Sequence, residues 1–149
     1  MEQIAEALNG SDAAALKAMF SAEALERAAD IDAGLEYLLS PFPNGVAGWE
    51  QFGCASEEQI SSGKKTELLI PCYDLSADGS RYYLCFSDFT VNDAINPNNV
   101  GIYQIGATPW VEDPMSGDAE PFFRWARGLT ADESTSDTSY PGVYIPEER

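Results

Sequence analysis

The chain has 149 residues, with 25 Asp and Glu against 8 Lys and Arg, no histidine, and a formal net charge of −17. That length suits one domain with a real core, and 44 % hydrophobic residues argue against wholesale disorder. No apolar run reaches the roughly 18 residues of a membrane-spanning helix, the charge repels phosphate backbones, and the lack of histidine removes Ser-His or Cys-His catalytic pairs and His-ligated metals.

The first forty residues read as short helices. Ile4, Ala5 and Leu8 share one face, and Asn9-Gly10 ends the segment with a residue free to take a left-handed cap. Ser11 is the expected N-cap of the next helix, with Asp12 in its first turn, and Leu16, Met19 and Phe20 form its apolar stripe. Ser21 caps a third segment carrying Leu25, Ala28 and Ala29. Asp30 or Asp32 opens a fourth with Ile31, Leu35, Leu38 and Leu39, stopped by Pro41 and Pro43.

After Pro43 the pattern turns to strands. Asn44-Gly45 signals a turn before an irregular strand over Val46–Phe52, and Ser56–Lys65 reads as a polar segment. Thr66–Tyr73, Tyr82–Val91 and Val100–Ala107 are β-branched, aromatic or leucine-rich, and Ala77-Asp78-Gly79-Ser80 joins the first two as a hairpin. Pro71 cannot donate to a ladder, so it predicts a bulge or an edge. Helices first and an antiparallel meander after make the class α+β. The core domain spans residues 1–107, and residues 108–149 form an extension. That extension is expected to hold a short aromatic helix at about 118–127, an acidic, mobile stretch at 130–139 and an extended, docked piece at 140–146.

The three cysteines, Cys54, Cys72 and Cys85, lack C-x-x-C spacing, which excludes a zinc ribbon or a thioredoxin-type motif. Cys72 and Cys85 lie in strand-like stretches where a free thiol packs as a small hydrophobe. The alternative is a Cys72–Cys85 or Cys54-containing disulfide, so the thiols leave the compartment open. Met1 leads into Glu2-Gln3-Ile4 with neither basic nor apolar signal regions, which reads as cytoplasmic; an export signal replaced by methionine would give the same start.

Several pieces resemble an uncharacterised family of small bacterial proteins that carry a domain of unknown function, many of them lipoproteins. They are Ala14-Leu16-Lys17-Ala18-Met19-Phe20-Ser21, Asp32-Ala33-Gly34-Leu35-Glu36-Tyr37-Leu38, Ile60-Ser61-Ser62-Gly63-Lys64-Lys65, Asn96-Pro97-Asn98-Asn99-Val100-Gly101-Ile102-Tyr103 and Gly142-Val143-Tyr144-Ile145. The resemblance implies the nuclear transport factor 2-like (cystatin-like, SnoaL-like) superfold, with helices packed in the concave face of a curved antiparallel sheet. It also implies an extracytoplasmic, membrane-anchored lipoprotein as the alternative location. The chain departs from the lipoprotein members in lacking the signal sequence and lipid-modified cysteine, and in its longer acidic tail. These motifs are structural, so they speak to fold rather than function.

A curved sheet closed by helices leaves a cavity, with Tyr37, Phe42, Tyr82, Phe86, Asp88 and Tyr103 as candidate lining. Period two puts Tyr82, Leu84, Phe86 and Asp88 on one face of their strand and Tyr83, Cys85, Ser87 and Phe89 on the other. Asp88, if buried, would have a raised pKa and the makings of a general base, and only a tyrosine could partner it. Asp30, Asp32 and Glu36, like Asp74 and Asp78, lack the glycine-bearing spacing of a calcium loop, so no metal and no cofactor are expected. Trp49, Trp110, Phe122, Phe123 and Trp125 are candidate anchors of a protein interface on an acidic body. The leading expectation is a non-catalytic module that docks a basic protein partner, an immunity-type toxin inhibitor being its concrete form. A small apolar ligand in the cavity and a cofactor-free isomerase or dehydratase using Asp88 are the alternatives. A monomer is expected over a homodimer.

Overall fold

The computed structural model describes residues 1–28, 30–110 and 142–144. Four short helices, α1 (Glu2–Asn9), α2 (Ala13–Lys17), α3 (Ala22–Arg27) and α4 (Ile31–Leu39), precede four strands, β1 (Gly48–Ser61), β2 (Lys64–Ala77), β3 (Ser80–Asn92) and β4 (Gly101–Pro109). The strands form an antiparallel meander in the order β1-β2-β3-β4, and β5 (Gly142–Tyr144) adds in parallel beside β4. The class is α+β.

Side-chain oxygens start three of the helices. Asp12 accepts from the Ala15 amide, Ser21 from Ala24 and Asp30 from Ala33, each satisfying an otherwise orphaned donor. The expected Ser11 cap is therefore displaced by one residue. Gly10 stays right-handed, and Ser11 instead takes the positive φ of 49° that reverses the chain. The helices bury Ile4, Leu8, Leu16, Leu35 and Leu38 against one face of the sheet, where Tyr73, Leu75, Leu84, Phe86, Ile105 and Val143 complete the core.

Four connections fix the layers. Both hairpins turn on two residues with positive φ, Ser62-Gly63 and Asp78-Gly79, as a type I′ turn requires. The α2–α3 junction is stitched to β4: Ser21 N donates to the Ile102 carbonyl and Ile102 N to that of Met19. Gly101 sits there at φ +114°, and a Cβ would come within 2.9 Å of the Met19 carbonyl oxygen. A buried network closes the β3–β4 loop, with Ser21 Oγ bonded to Asn99 Oδ1, Asn92 Nδ2 to the Asn99 carbonyl and Thr66 Oγ1 to Asn92 Oδ1.

Three expectations change. Ser56–Lys65 is not a separate polar segment, because β1 runs through it to Ser61 and β2 starts at Lys64. Residues 54–61 are all exposed, so the apolar alternation that marks a half-buried strand is absent there. Pro71 lies in an inner strand rather than at an edge or in a bulge, and the β2–β3 ladder omits Ile70 and Pro71, where the ring supplies no donor. The third concerns the cysteines: Cys72 and Cys85 face each other across β2 and β3 and form a disulfide, leaving Cys54 exposed as the free thiol among the described residues. Direct opposition in an antiparallel pair brings the two Cα atoms to 4.2 Å, and the register follows from the Asp78-Gly79 turn, which pairs Ala77 with Ser80 and, five residues back along each strand, Cys72 with Cys85.

Candidate functional site

The interior between helices and sheet is largely filled. Phe42, directly after α4, is fully buried and meets Tyr82 edge-on at 5.0 Å, while Tyr73 stacks on Phe86 at 6.0 Å. The expected lining residues Phe42 and Tyr82 thus come together as core, while Phe86 belongs to the core and also lines two hollows. Tyr103 lines the outer of these hollows together with Phe86, its ring against Phe89 and its hydroxyl accepting from Arg27 at 2.7 Å. Tyr37 is 48 % exposed on α4.

The layer opens at the other end of β3. A groove of about 820 Å³ lies among α1, α2 and the β3–β4 bulge, with Ile4, Ala7, Met19 and Ile102 beside Glu6 and Asp88. Asp88 is half-buried there, and desolvation raises its pKa above the ordinary carboxylate value, opposed by the amino terminus. No tyrosine lines this groove, so the expected phenolic partner of a general base is not brought to Asp88. The consequence for stability has a definite sign. The unfolded carboxyl ionises at its ordinary value, so folding is penalised above that pH, increasingly up to the folded pKa and constantly beyond. Asp88→Asn should raise the Tm at about pH 7 and leave it unchanged at about pH 3, where both carboxyls are protonated. Thermal scans at the two pH values check this.

A second hollow, of about 540 Å³, lies on the opposite face of the sheet. Leu68, Ile70, Phe89 and Ile95 give it an apolar lining, and Ser87 and Gln104 supply polar groups. Beside it the outer face is covered by aromatics. Trp110 lies 4.3 Å from the Tyr83 ring centre, Phe52 packs on Tyr83 from β1, and the Arg81 guanidinium sits 3.6 Å over the Trp110 ring while it pairs with Asp74.

The remaining exposed feature is β1. It is the first strand of the sheet, and it carries Trp49, Phe52 and Ile60 exposed beside Glu50, Glu57 and Glu58. Trp49 packs edge-on against Tyr73 at 5.7 Å. Phe52 occupies a bulge between Gln51 and Gly53, which turns its ring to the outer face.

The sequence matches a family described as a domain of unknown function, DUF5104, over residues 3–109. The chain belongs to that family. The match covers all four helices and the four strands of the meander. No curated protein matches this DUF5104 chain.

The predicted anchors divide. Trp49 stands exposed on the β1 edge and Trp110 is half-buried over Tyr83, whereas Phe122, Phe123 and Trp125 lie outside the described residues, as do the stretches 118–127 and 130–139. Phe52 closes the expected strand Val46–Phe52 but was missed as an anchor because its exposure depends on the bulge. Ile60 was missed because it is a single apolar residue in a polar run, where only the Ser62-Gly63 turn signals a strand. Of the carboxylates considered for a cation, Asp30 caps α4, Asp32 pairs with Lys17 at 2.7 Å, Asp74 pairs with Arg81 and Asp78 accepts from Asn44. Among the described residues no three His, Cys, Asp or Glu gather as a metal site, and no helix is long and apolar enough to cross a membrane.

Proposed function

We propose that this DUF5104 domain is a non-catalytic binding module that docks a basic protein partner, in its concrete form an immunity-type inhibitor that masks the basic cleft of a bacterial toxin. The observation that carries the reading is the body of charge −17 with exposed Trp49 and Phe52 set among glutamates on one strand. Such a field accelerates encounter with a basic surface, and the aromatics supply desolvated contact once it is made. Asp88 has its groove but no proton-donating tyrosine in it, which supports recognition over isomerase or dehydratase chemistry.

We read the arrangement of helices on a meander as nuclear transport factor 2-like. We place the protein in an extracytoplasmic compartment, because a disulfide between Cys72 and Cys85 persists where thiols are not kept reduced. A second reading, a small apolar ligand, is favoured by the 540 Å³ hollow on the outer sheet face, which is of pocket size and mostly apolar. Of the residues expected over such a ligand, Phe86 and Tyr103 line this hollow, while Phe42 and Tyr82 pack on each other.

The test is affinity purification of the tagged full chain with proteins encoded beside its gene, followed by titration against the captured partner. The expected Kd rises by about tenfold or more from about 50 mM to about 300 mM salt, as screening removes the attraction. A salt-insensitive Kd, or no basic partner, overturns the reading.

A further inference from the structure

We infer that the edge of β1 that no described strand pairs with is a strand-addition site, and that its occupant is an extended, basic segment of the partner protein. The inference rests on the reading of the domain as an acidic docking module and specifies how the docking occurs.

The geometry follows from the hairpin. In a two-residue I′ turn the flanking residues Ser61 and Lys64 exchange backbone hydrogen bonds. Alternation then turns Gln59, Glu57, Ala55 and Gly53 toward β2, and directs the amides and carbonyls of Ile60, Glu58, Ser56 and Cys54 outward. The bond from Ala47 N to the Ser76 carbonyl fits the same parity on β2. The register from Gly53 to Ser61 is uninterrupted, and every residue from Cys54 to Ser61 is exposed. Among the described residues no strand pairs with this edge. Natural edges are usually blocked by lysine, proline or a bulge. β1 contains no lysine and no proline, and its one bulge, at Phe52, precedes the regular stretch.

Charge selects the occupant. β1 carries Glu50, Glu57 and Glu58 and no basic residue, with Lys65 of β2 answering Glu58 at 2.8 Å. A second copy would set these glutamates against their equivalents on a body that already carries −17. A strand with lysine or arginine at alternate positions instead meets Glu57 on one face or Glu58 on the other. Its backbone completes the open ladder, and its apolar alternate positions reach Phe52 or Ile60.

The test uses the full chain and two ten-residue probes of equal charge, one alternating lysine and valine, the other alternating lysine with glycine and proline. The valine peptide should bind at least about tenfold more tightly, since only it can form a ladder. It should slow amide exchange at Cys54, Ser56, Glu58 and Ile60. Ser56→Pro removes an outward donor that the β1–β2 ladder does not use and should weaken binding at least about tenfold. Glu58→Lys provides a second variant with the backbone unchanged, and should do the same. Equal binding of the two peptides would overturn strand addition while sparing the acidic docking reading. Binding of neither at low salt would overturn both. A dimer in solution that Ser56→Pro dissolves would assign the edge to a second copy and overturn the basic occupant.

Discussion

Phe42→Ala should destabilise the domain by about 3–5 kcal/mol, the cost of truncating a large core aromatic that leaves a void. Phe42 is fully buried, and its position makes collapse difficult. It follows α4 through Pro41, and its amide donates to the Leu39 carbonyl while its own carbonyl accepts from Gly45. The backbone on both sides is thus tied and cannot slide inward. The ring lies edge-on to Tyr82 at 5.0 Å, a pairing lost together with the buried area. Since small domains have about 5–15 kcal/mol in total, the variant should lose a large part of its stability. Urea unfolding with unchanged m-value is the measurement. A loss under about 1 kcal/mol would mean that the helices do not close over the sheet as described, and that the hollow interior expected from the fold exists after all.

The fold was legible where burial leaves a periodic stripe or a continuous apolar run. α1 and α4 each bury one stripe, so the 3.6 period survives in the sequence, as at Leu35 and Leu38 on α4, whereas β3 is buried on both faces from Tyr83 to Phe86 and reads as an apolar, aromatic run. Asp78-Gly79 announced its hairpin because positive φ at both positions admits few residue types. β1 was legible in its first part, within the expected strand Val46–Phe52, and illegible from Gly53 to Ser61 for the opposite reason. As an exposed strand it buries almost nothing, and its pairing is enforced by the hydrogen-bonding edge of β2, a tertiary fact with no local signature. The candidate site was legible in part. Phe86 and Tyr103 line the outer hollow and Phe86 and Asp88 the α1–α2 groove, whereas Phe42 and Tyr82, equally apolar and inward, pack on each other, and packing rather than pattern decides between the two. Asp88 was legible as a residue on the inner face, but the α1–α2 groove that half-buries it depends on where two helices end.

The bond between Cys72 and Cys85 should contribute about 3 kcal/mol, the loop-closure value for a sequence separation of 13. Its position gives it a second role. The β2–β3 ladder lacks rungs at Ile70 and Pro71, immediately before Cys72, so the covalent link joins the two strands where hydrogen bonding is interrupted. Reduction should therefore loosen the centre of the sheet and with it the seat of Trp110, which packs against this pair and Tyr83. The expected result is a Tm lower by on the order of 10 °C for the Cys72→Ala, Cys85→Ala double variant. The wild-type chain should approach that Tm when unfolded in reductant, and the double variant should not respond to reductant. Cys85 is buried, so the loss in the wild type should follow slow opening of the outer face rather than reductant concentration alone. A wild-type Tm indifferent to reductant would mean that the thiols remain unpaired as small core residues, and would remove the argument for an oxidising compartment.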